Sequence, residues 1–341
     1  MKILVTGAAG FIGFHVARRL LARGDEVVGL DNVNAYYDPA LKQARLRLLA
    51  DDRGRWEFRR ADITDAIALD ACFAGHRFDR VIHLAAQAGV RHSIDNPLAY
   101  IDSNIVGFAR LLEACRRHAV PHLTYASTSS VYGGNTRMPF SEADSADHPL
   151  QLYAATKRAN ELMAHSYAHL YGLPATGLRF FTVYGPWGRP DMALFKFARA
   201  ILNGEPIELY SEGRHSRDFT YIDDVVEGVL RASDQVATPD PLWDSANPRP
   251  DRSDAPFRLY NLGRGAPVAL EAYLDALETA LGRRAIRHLL PPQPGDVPDT
   301  FADTRALAEA TGYTPHTSVT EGVQRFAEWY VEHRALIEPA T

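Results

Sequence analysis

The sequence predicts an α/β protein with a doubly wound parallel sheet and a smaller α/β cap contributed by its C-terminal part. Three observations predict it. Short apolar runs alternate with helix-length segments through the first half of the chain, and parallel strands need such crossovers. The first apolar run ends in a glycine-rich turn that opens directly into a helix. Beyond about residue 182 the alternation loosens, with no linker-like composition at the junction.

The elements follow in order. Lys2–Thr6 reads as a strand, and Phe11–Arg23 as a helix stopped by Gly24. Glu26–Leu30 is the second strand, Phe58 lies in a third, Arg80–Ala86 is a fourth and His122–Ser127 a fifth. Helices fall between them, notably over Pro97–Arg117 and Leu152–Tyr171, and Ala175–Phe181 is the sixth strand. Shorter strands are expected at Ile207–Tyr210 and Arg258–Leu262. The stretch Thr238–Pro256 holds five prolines and four aspartates, so it is expected to be an exposed loop. Residues 1–182 are thus expected to form the sheet domain, to which later segments can return, and residues 183–341 mainly the cap.

Composition narrows the function. Apolar residues make up 46% and charged residues 23% of the 341, as in ordinary globular proteins. No uninterrupted apolar run reaches the roughly 18 residues of a membrane span. Net charge is −5, from 37 basic and 42 acidic residues, and no basic stripe marks a nucleic-acid partner. The apolar stretch at the N-terminus is too short for a signal-peptide core, so a cytoplasmic location is expected. Cys72 and Cys115 sit in Ala-rich helical contexts and read as two buried thiols. His165 and His169 are spaced i,i+4 but lack the glutamate and third ligand of a zinc helix, so no metal is expected.

The turn reads Thr6-Gly7-Ala8-Ala9-Gly10-Phe11-Ile12-Gly13. Gly7 permits the tight bend, Gly10 lets backbone approach a pyrophosphate, and Gly13 lets the helix pack closely on the strand. The amides at the helix start, around Phe11 and Ile12, suit phosphate oxygens. Asp31, ending the second strand, is placed to accept both ribose hydroxyls and to repel a 2′-phosphate, which favours NAD over NADP. Asn32 adjoins it, Asp62 and Ile63 are placed beside the adenine, and Leu84-Ala85-Ala86 are small enough for close passage. This is a Rossmann-type pattern.

Tyr153 and Lys157 lie four apart on a predicted helix, hence on one face. A free phenol has a pKa near ~10, and an adjacent ammonium favours the phenolate. Thr128, at the end of the fifth strand, adds a hydroxyl that can share a substrate proton.

The spacing G-x-x-G-x-x-G, Leu84-Ala85-Ala86 and Tyr153-Ala154-Ala155-Thr156-Lys157 together resemble the extended short-chain dehydrogenases/reductases, over essentially the whole chain. The resemblance implies a catalytic triad of Thr128, Tyr153 and Lys157, with the last two also touching NAD. Members that eliminate water carry Thr-Asp-Glu before Val-Tyr-Gly, and those that decarboxylate a uronate carry Thr-Ser-Glu. Here Thr128-Ser129-Ser130-Val131-Tyr132-Gly133 contains no acid, which implies an epimerase.

The segment from Arg179 to Ala193 and Asn34-Ala35-Tyr36-Tyr37-Asp38 look like those of UDP-glucuronate 4-epimerases, as does the Pro/Asp-rich loop before Arg258. The resemblance implies NAD-dependent conversion of UDP-glucuronate to UDP-galacturonate, in a homodimer joined through a four-helix bundle. Hydroxyls of Ser127, Thr128, Ser129, Ser130, Tyr153 and Thr182 would meet the sugar, and Arg189 its carboxylate, unless Arg189 serves the pyrophosphate or the loop. Arg217 matches the family's pyrophosphate arginine, with Arg91 and Lys196 as further phosphate donors. Gln293, in Gln293-Pro294-Gly295-Asp296-Val297, stands where UDP-galactose 4-epimerases carry arginine. A UDP-xylose-forming decarboxylase, a neutral UDP-hexose 4-epimerase and a catalytically inactive NAD-binding regulator remain the alternatives. Intact Thr128, Tyr153 and Lys157 count against the last.

Overall fold

The structure, a computed structural model, describes residues 1–51, 55–291 and 299–338. Its N-terminal half alternates as expected: β1 (Lys2–Thr6), α1 (Phe11–Arg23), β2 (Glu26–Asp31), α2 (Pro39–Ala50), β3 (Trp56–Arg60), α3 (Ala66–Ala74) and β4 (Arg80–His83). Local chemistry sets these boundaries. Gly24 ends α1 in the left-handed region at φ 94°, and Asp38 caps α2 by accepting from the Ala40 amide at 2.8 Å, with Pro39 at the first helical position.

Two expectations need correction here. The fourth strand stops at His83 instead of running to Ala86. The chain leaves the ladder because it must pass over the glycine-rich turn, where a Cβ on Gly7 would stand 2.7 Å from the Ala85 nitrogen. The helix expected over Pro97–Arg117 is broken into α4 (His92–Asp95), α5 (Pro97–Tyr100), a wide π turn over Ile101–Gly107 and α6 (Phe108–Arg117). The π turn lets the Asn104 side chain bond both the amide and the carbonyl of Gln87, at 2.9 and 3.0 Å, and brings Gly107 against Ile63.

β5 (Leu123–Thr128), α7 (Leu152–Tyr171) and β6 (Ala175–Phe180) complete the regular part. Phe257–Leu262 pairs in parallel along β6 and forms the edge of a seven-stranded parallel sheet, ordered Phe257–Leu262, β6, β5, β4, β1, β2, β3. The strand order reverses between β1 and β4, which opens a crevice at the carboxyl ends of the strands. One apolar layer, from α1 and the helix Ile222–Asp234, covers one face; α3, α6 and α7 cover the other. Among the described residues, three two-stranded pairs lie outside this sheet: Thr182–Tyr184 with Phe219–Tyr221, Ser216–Arg217 with Val268–Ala269, and Pro206–Leu209 with Ile286–Leu289.

The Pro/Asp-rich stretch is irregular, as expected, but its end is not exposed: Asp251, Ser253 and Ala255 are buried. Asp251 is held by Arg249 through two hydrogen bonds, and Ser253 accepts the Asp240 amide at 2.8 Å. Cys72 and Cys115 are both free and buried. His165 and His169 stack on one flank of α7, where His165 meets the Ser253 hydroxyl at 2.8 Å. Among the described residues, no helix is long and apolar enough to cross a membrane.

Gly13 gives a direct test of the turn, since a Cβ there would stand 2.0 Å from the Gly7 carbonyl oxygen, so backbone must shift. Gly13→Ala is expected to cost about 1–3 kcal/mol, read as a lower urea midpoint. An unchanged midpoint would show that the turn yields freely.

Candidate active site

The carboxyl ends of β1, β2, β4, β5 and β6 open onto a cleft of about 440 Å³. All the residues expected at a cofactor line it: Gly7, Gly10, Phe11, Ile12, Gly13, Asp31, Asn32, Asp62, Ile63, Leu84, Ala85, Ala86, Tyr153 and Lys157. Gly7 reaches its bend at φ 72°, and its amide donates to the Leu30 carbonyl at 2.7 Å. Gly10 starts α1 with no side-chain cap and no acid in the first turn, so the opening amides are left for an anionic ligand. Buried Asp31 accepts from the Ala9 and Val33 amides at 3.1 and 2.7 Å, which fixes its carboxylate at the end of β2. Burial pushes Asp62 up, but hydrogen bonds from Asn32 and Thr64 outweigh it and hold the carboxyl below its usual range. An uncapped helix start after β1, a fixed carboxylate at the end of the adjacent β2 and small residues after β4 on the other side fit a dinucleotide.

The reacting groups converge at the other end of the cleft. Thr128 leaves β5 with its hydroxyl at 3.2 Å from both the Ser130 amide and the Ser130 hydroxyl. Burial raises the Tyr153 phenol, while its hydrogen bond with Thr128 and the positive field of Arg189 pull it down. Spacing alone had pointed to Lys157 for that pull. Lys157 is itself buried, which pushes its ammonium down to about 8 against the attraction of Glu161 one turn further on. His83 is pushed down to about 3 by burial and by Lys157, so it is neutral at ordinary pH, and its Nδ1 meets the Thr6 hydroxyl at 2.7 Å.

Of the expected sugar contacts, Ser127, Thr128, Ser129, Ser130, Thr182 and Arg189 line the cleft. Two need qualification. Ser127 donates its hydroxyl to Glu161 at 2.6 Å, so its proton is committed inward, away from a ligand. Arg189 pairs with Asp191 through Nε and Nη2, at 3.0 and 2.6 Å, which leaves Nη1 outside that pair. Burial alone would lower the Arg189 pKa, but Asp191 more than compensates and raises it.

Arg91, Lys196 and Arg217 are not among the lining residues. The exposed Arg91 lies over the Tyr210 ring at 4.9 Å, Lys196 is exposed on the helix Ala193–Asn203, and Arg217 donates to the neighbouring Ser216 carbonyl at 2.9 Å. Long cationic side chains follow whatever surface is nearest, which motif spacing does not fix. The segment containing Gln293 lies outside the described residues.

Sequence reasoning gave no role to several residues that build the site. Asn34, Tyr36, Lys42, Gln87 and Ser103 line the cleft. Lys42 reaches back to the carbonyl and side chain of Asn34 at 2.9 and 2.7 Å, which shapes the loop after β2. Behind the reacting groups, Glu161 holds Arg179 through two hydrogen bonds of 2.8 Å, with both side chains fully buried. An arginine inside the apolar strand Ala175–Phe180, and an acid continuing the Tyr153–Lys157 column, were the signals available.

The chain matches the family described as NAD dependent epimerase/dehydratase over residues 3–242. A Rhizobium meliloti protein named "Probable UDP-glucuronate 4-epimerase" is 52% identical over 336 residues, covering 97% of both chains. UDP-glucuronate 4-epimerase 1 of Arabidopsis thaliana is 47% identical over 98% of this chain and 77% of its own. The crystal structure of UDP-glucuronic acid 4-epimerase from Bacillus cereus, in complex with UDP-glucuronic acid and NAD, superposes with a TM-score of 0.83. It is 33% identical and covers 97% of this chain and 99% of that one.

The depressed Lys157 has a pH signature. Between about 8 and its ordinary value near 10.5 the unfolded chain binds a proton that the folded chain does not, so stability rises with pH through that window. Lys157→Met removes the effect. The wild type is expected to gain on the order of 2–3 kcal/mol relative to that variant between pH 8 and 10.5, measured by urea unfolding. Parallel pH profiles would place the Lys157 proton at its ordinary affinity.

Proposed function

The chain belongs to the NAD dependent epimerase/dehydratase family, and from that premise we propose that it interconverts UDP-glucuronate and UDP-galacturonate by inverting C4 of the sugar. The observation that carries the reading is the turn after Thr128. Ser129 and Ser130 line the cleft beside Tyr153 and bring hydroxyls, with no carboxyl to protonate a leaving group or an enolate. Oxidation at C4 then has one outcome, return of the hydride.

NAD, when bound, supplies the acceptor and then the donor for that hydride. The chain supplies the rest. Tyr153 takes the C4 hydroxyl proton, and Thr128, hydrogen-bonded to the phenol, shares it. Asp31 selects against a 2′-phosphate on the adenosine ribose. Inversion requires the 4-keto sugar to present its other face, so the contacts that reorient must belong to the sugar and not to the nucleotide. A 4-keto uronate is a β-keto acid and tends to lose CO₂. The Ser129, Ser130 and Thr182 hydroxyls and the free edge of Arg189 hold the carboxylate as an ion, which opposes that loss.

The segments outside the main sheet, including Arg217, are assigned to the UDP moiety. Two copies are assigned to associate through α5–α6 and α7. The exposed Leu98, Ile101, Val106, Leu162 and Leu170 on these helices support that assignment.

With UDP-glucuronate as substrate, the expected product is UDP-galacturonate, resolved chromatographically from UDP-xylose and UDP-4-keto-pentose. Tyr153→Phe keeps the ring, so UDP-sugar binding should survive while turnover falls by at least ~10². A pentose product, or undiminished turnover in the variant, overturns this reading. The Arg189 assignment has its own test. Arg189→Ala removes a charge-assisted contact of about 1.5–3 kcal/mol, roughly tenfold or more in affinity, for UDP-glucuronate but not for UDP-glucose. A constant ratio of the two affinities would return Arg189 to the phosphates or the loop.

A further inference from the structure

Arg45 is fully buried on α2, and among the described residues no carboxylate forms an ion pair with it, although Asp31 attracts its charge from a distance. Its guanidinium donates to four neutral oxygens: the Ala9 carbonyl at 2.8 Å, the Tyr37 hydroxyl at 2.6 Å, and the Trp187 and Gly188 carbonyls at 2.6 and 2.9 Å. A charge taken out of water without a counter-ion in contact is costly, and an apolar side chain of similar volume would fill the space more cheaply. What such a side chain could not do is tie together carbonyls from two separated segments, for which the planar guanidinium fork is suited. One of those carbonyls lies in the glycine-rich turn, between Gly7 and Gly10. The other two immediately precede Arg189.

The second segment needs holding. Trp187 sits in the left-handed region at φ 59°, where a bulky residue is strained. Its neighbour Pro186 offers its carbonyl to the His15 Nε2 of α1 at 3.0 Å. Residues 185–189 are therefore pinned at three carbonyls, each time by a side chain from α1 or α2, the helices that flank β2. Beyond the pins, the Arg189 guanidinium lies over the Tyr36 ring at 5.6 Å, and the Tyr36 hydroxyl meets Asp191 at 3.3 Å. The loop after β2 thus touches the Arg189 segment at two depths.

We propose that Arg45 is a positioning residue linking occupancy of the glycine-rich turn to the placement of Arg189, so that NAD and the sugar's C6 carboxylate strengthen each other's binding. The proposal rests on the carboxylate role given to Arg189 above. A shift of the Ala9 carbonyl on binding a pyrophosphate moves the guanidinium, and the guanidinium carries the Trp187 and Gly188 carbonyls with it. Such a linkage is reciprocal: the factor by which NAD favours the uronate is the factor by which the uronate retains NAD.

The test follows NAD release from the holoenzyme by fluorescence, with saturating UDP-glucuronate or UDP-glucose present. In the wild type, UDP-glucuronate is expected to slow release at least about fivefold more than UDP-glucose does. Arg45→Lys keeps a charge but lacks the fork, and Arg45→Met lacks both; in each the excess should vanish. In Arg45→Lys, KM for UDP-glucuronate should rise by about the same fivefold factor while kcat changes less, as expected for loss of a coupling of this size. Equal slowing by the two sugars in the wild type overturns the linkage whether or not either variant folds, and leaves the proposed epimerisation standing if UDP-galacturonate is still formed. An excess that persists in Arg45→Lys overturns the role of Arg45. A wild type that does not convert UDP-glucuronate at all overturns the functional reading, and the linkage with it.

Discussion

A single buried carboxylate, Glu161, fixes the geometry on which the reacting side chains depend. It accepts from Ser127 on β5, from both nitrogens of the Arg179 fork on β6, and from Arg158 on its own helix at 2.9 Å. The helix is thereby locked to two adjacent strands at the level where Thr128 leaves the sheet. Tyr153, Lys157 and Glu161 stand one above another on α7, so fixing the last fixes the first two. A buried ion pair is a poor source of net stability, because desolvation consumes most of the attraction, yet removing one partner costs about 3–5 kcal/mol. That asymmetry suits a site where placement matters more than stability. Arg179 also lies 4.8 Å from the Tyr132 ring, which extends the lock to the turn carrying Ser129 and Ser130.

The cofactor end of the cleft is held by a different force, close backbone contact. Gly7 lies against Leu84 and Ala85, and Gly13 lies against Gly7, so three segments meet with no room for a side chain. Asn104, presented by the π turn, then secures the following Gln87 backbone from behind. Charge is distributed accordingly. Asp31 and Asp62 stand where neutral ribose hydroxyls and adenine amines are expected, and Lys157 and Arg189 stand near the reacting centre. The electrostatic gradient along the cleft orients an asymmetric, anionic pair of ligands before any specific contact forms.

Much of this was legible in the sequence, for identifiable reasons. The glycine spacing and the small residues at 84–86 report backbone approach, a local property that residue type alone encodes. Tyr153 and Lys157 are legible because helical periodicity converts spacing into a shared face. Arg189 was placed at the cleft, but its partner Asp191, two residues on, was not anticipated, because a bidentate contact depends on side-chain direction. Arg217, taken from the family motif, and the further candidates Arg91 and Lys196 are not among the lining residues, since flexible cationic stems are directed by tertiary surroundings. The π turn left no periodic signature, because a wide coil is selected by what Asn104 must reach. Glu161 and Arg179 were the avoidable omissions: charges within segments that must be buried announce a buried pair.

The edge strand Phe257–Leu262 has a consequence for how the chain is made. Between β6 and this strand the polypeptide runs through residues 181–256, building the pair of Thr182–Tyr184 with Phe219–Tyr221 and the helices Ala193–Asn203 and Ile222–Asp234 on the way. During synthesis, β6 therefore emerges with one side of its ladder bare and stays so until some eighty residues later, an interval of roughly 4–16 s at ordinary elongation rates. An apolar strand whose hydrogen-bonding edge is open for that long is a template for pairing with another nascent chain. The late closure makes the last strand a checkpoint: high contact order falls on one ladder, and a chain truncated within the Pro/Asp-rich stretch would carry an intact nucleotide crevice on a sheet that cannot seal itself.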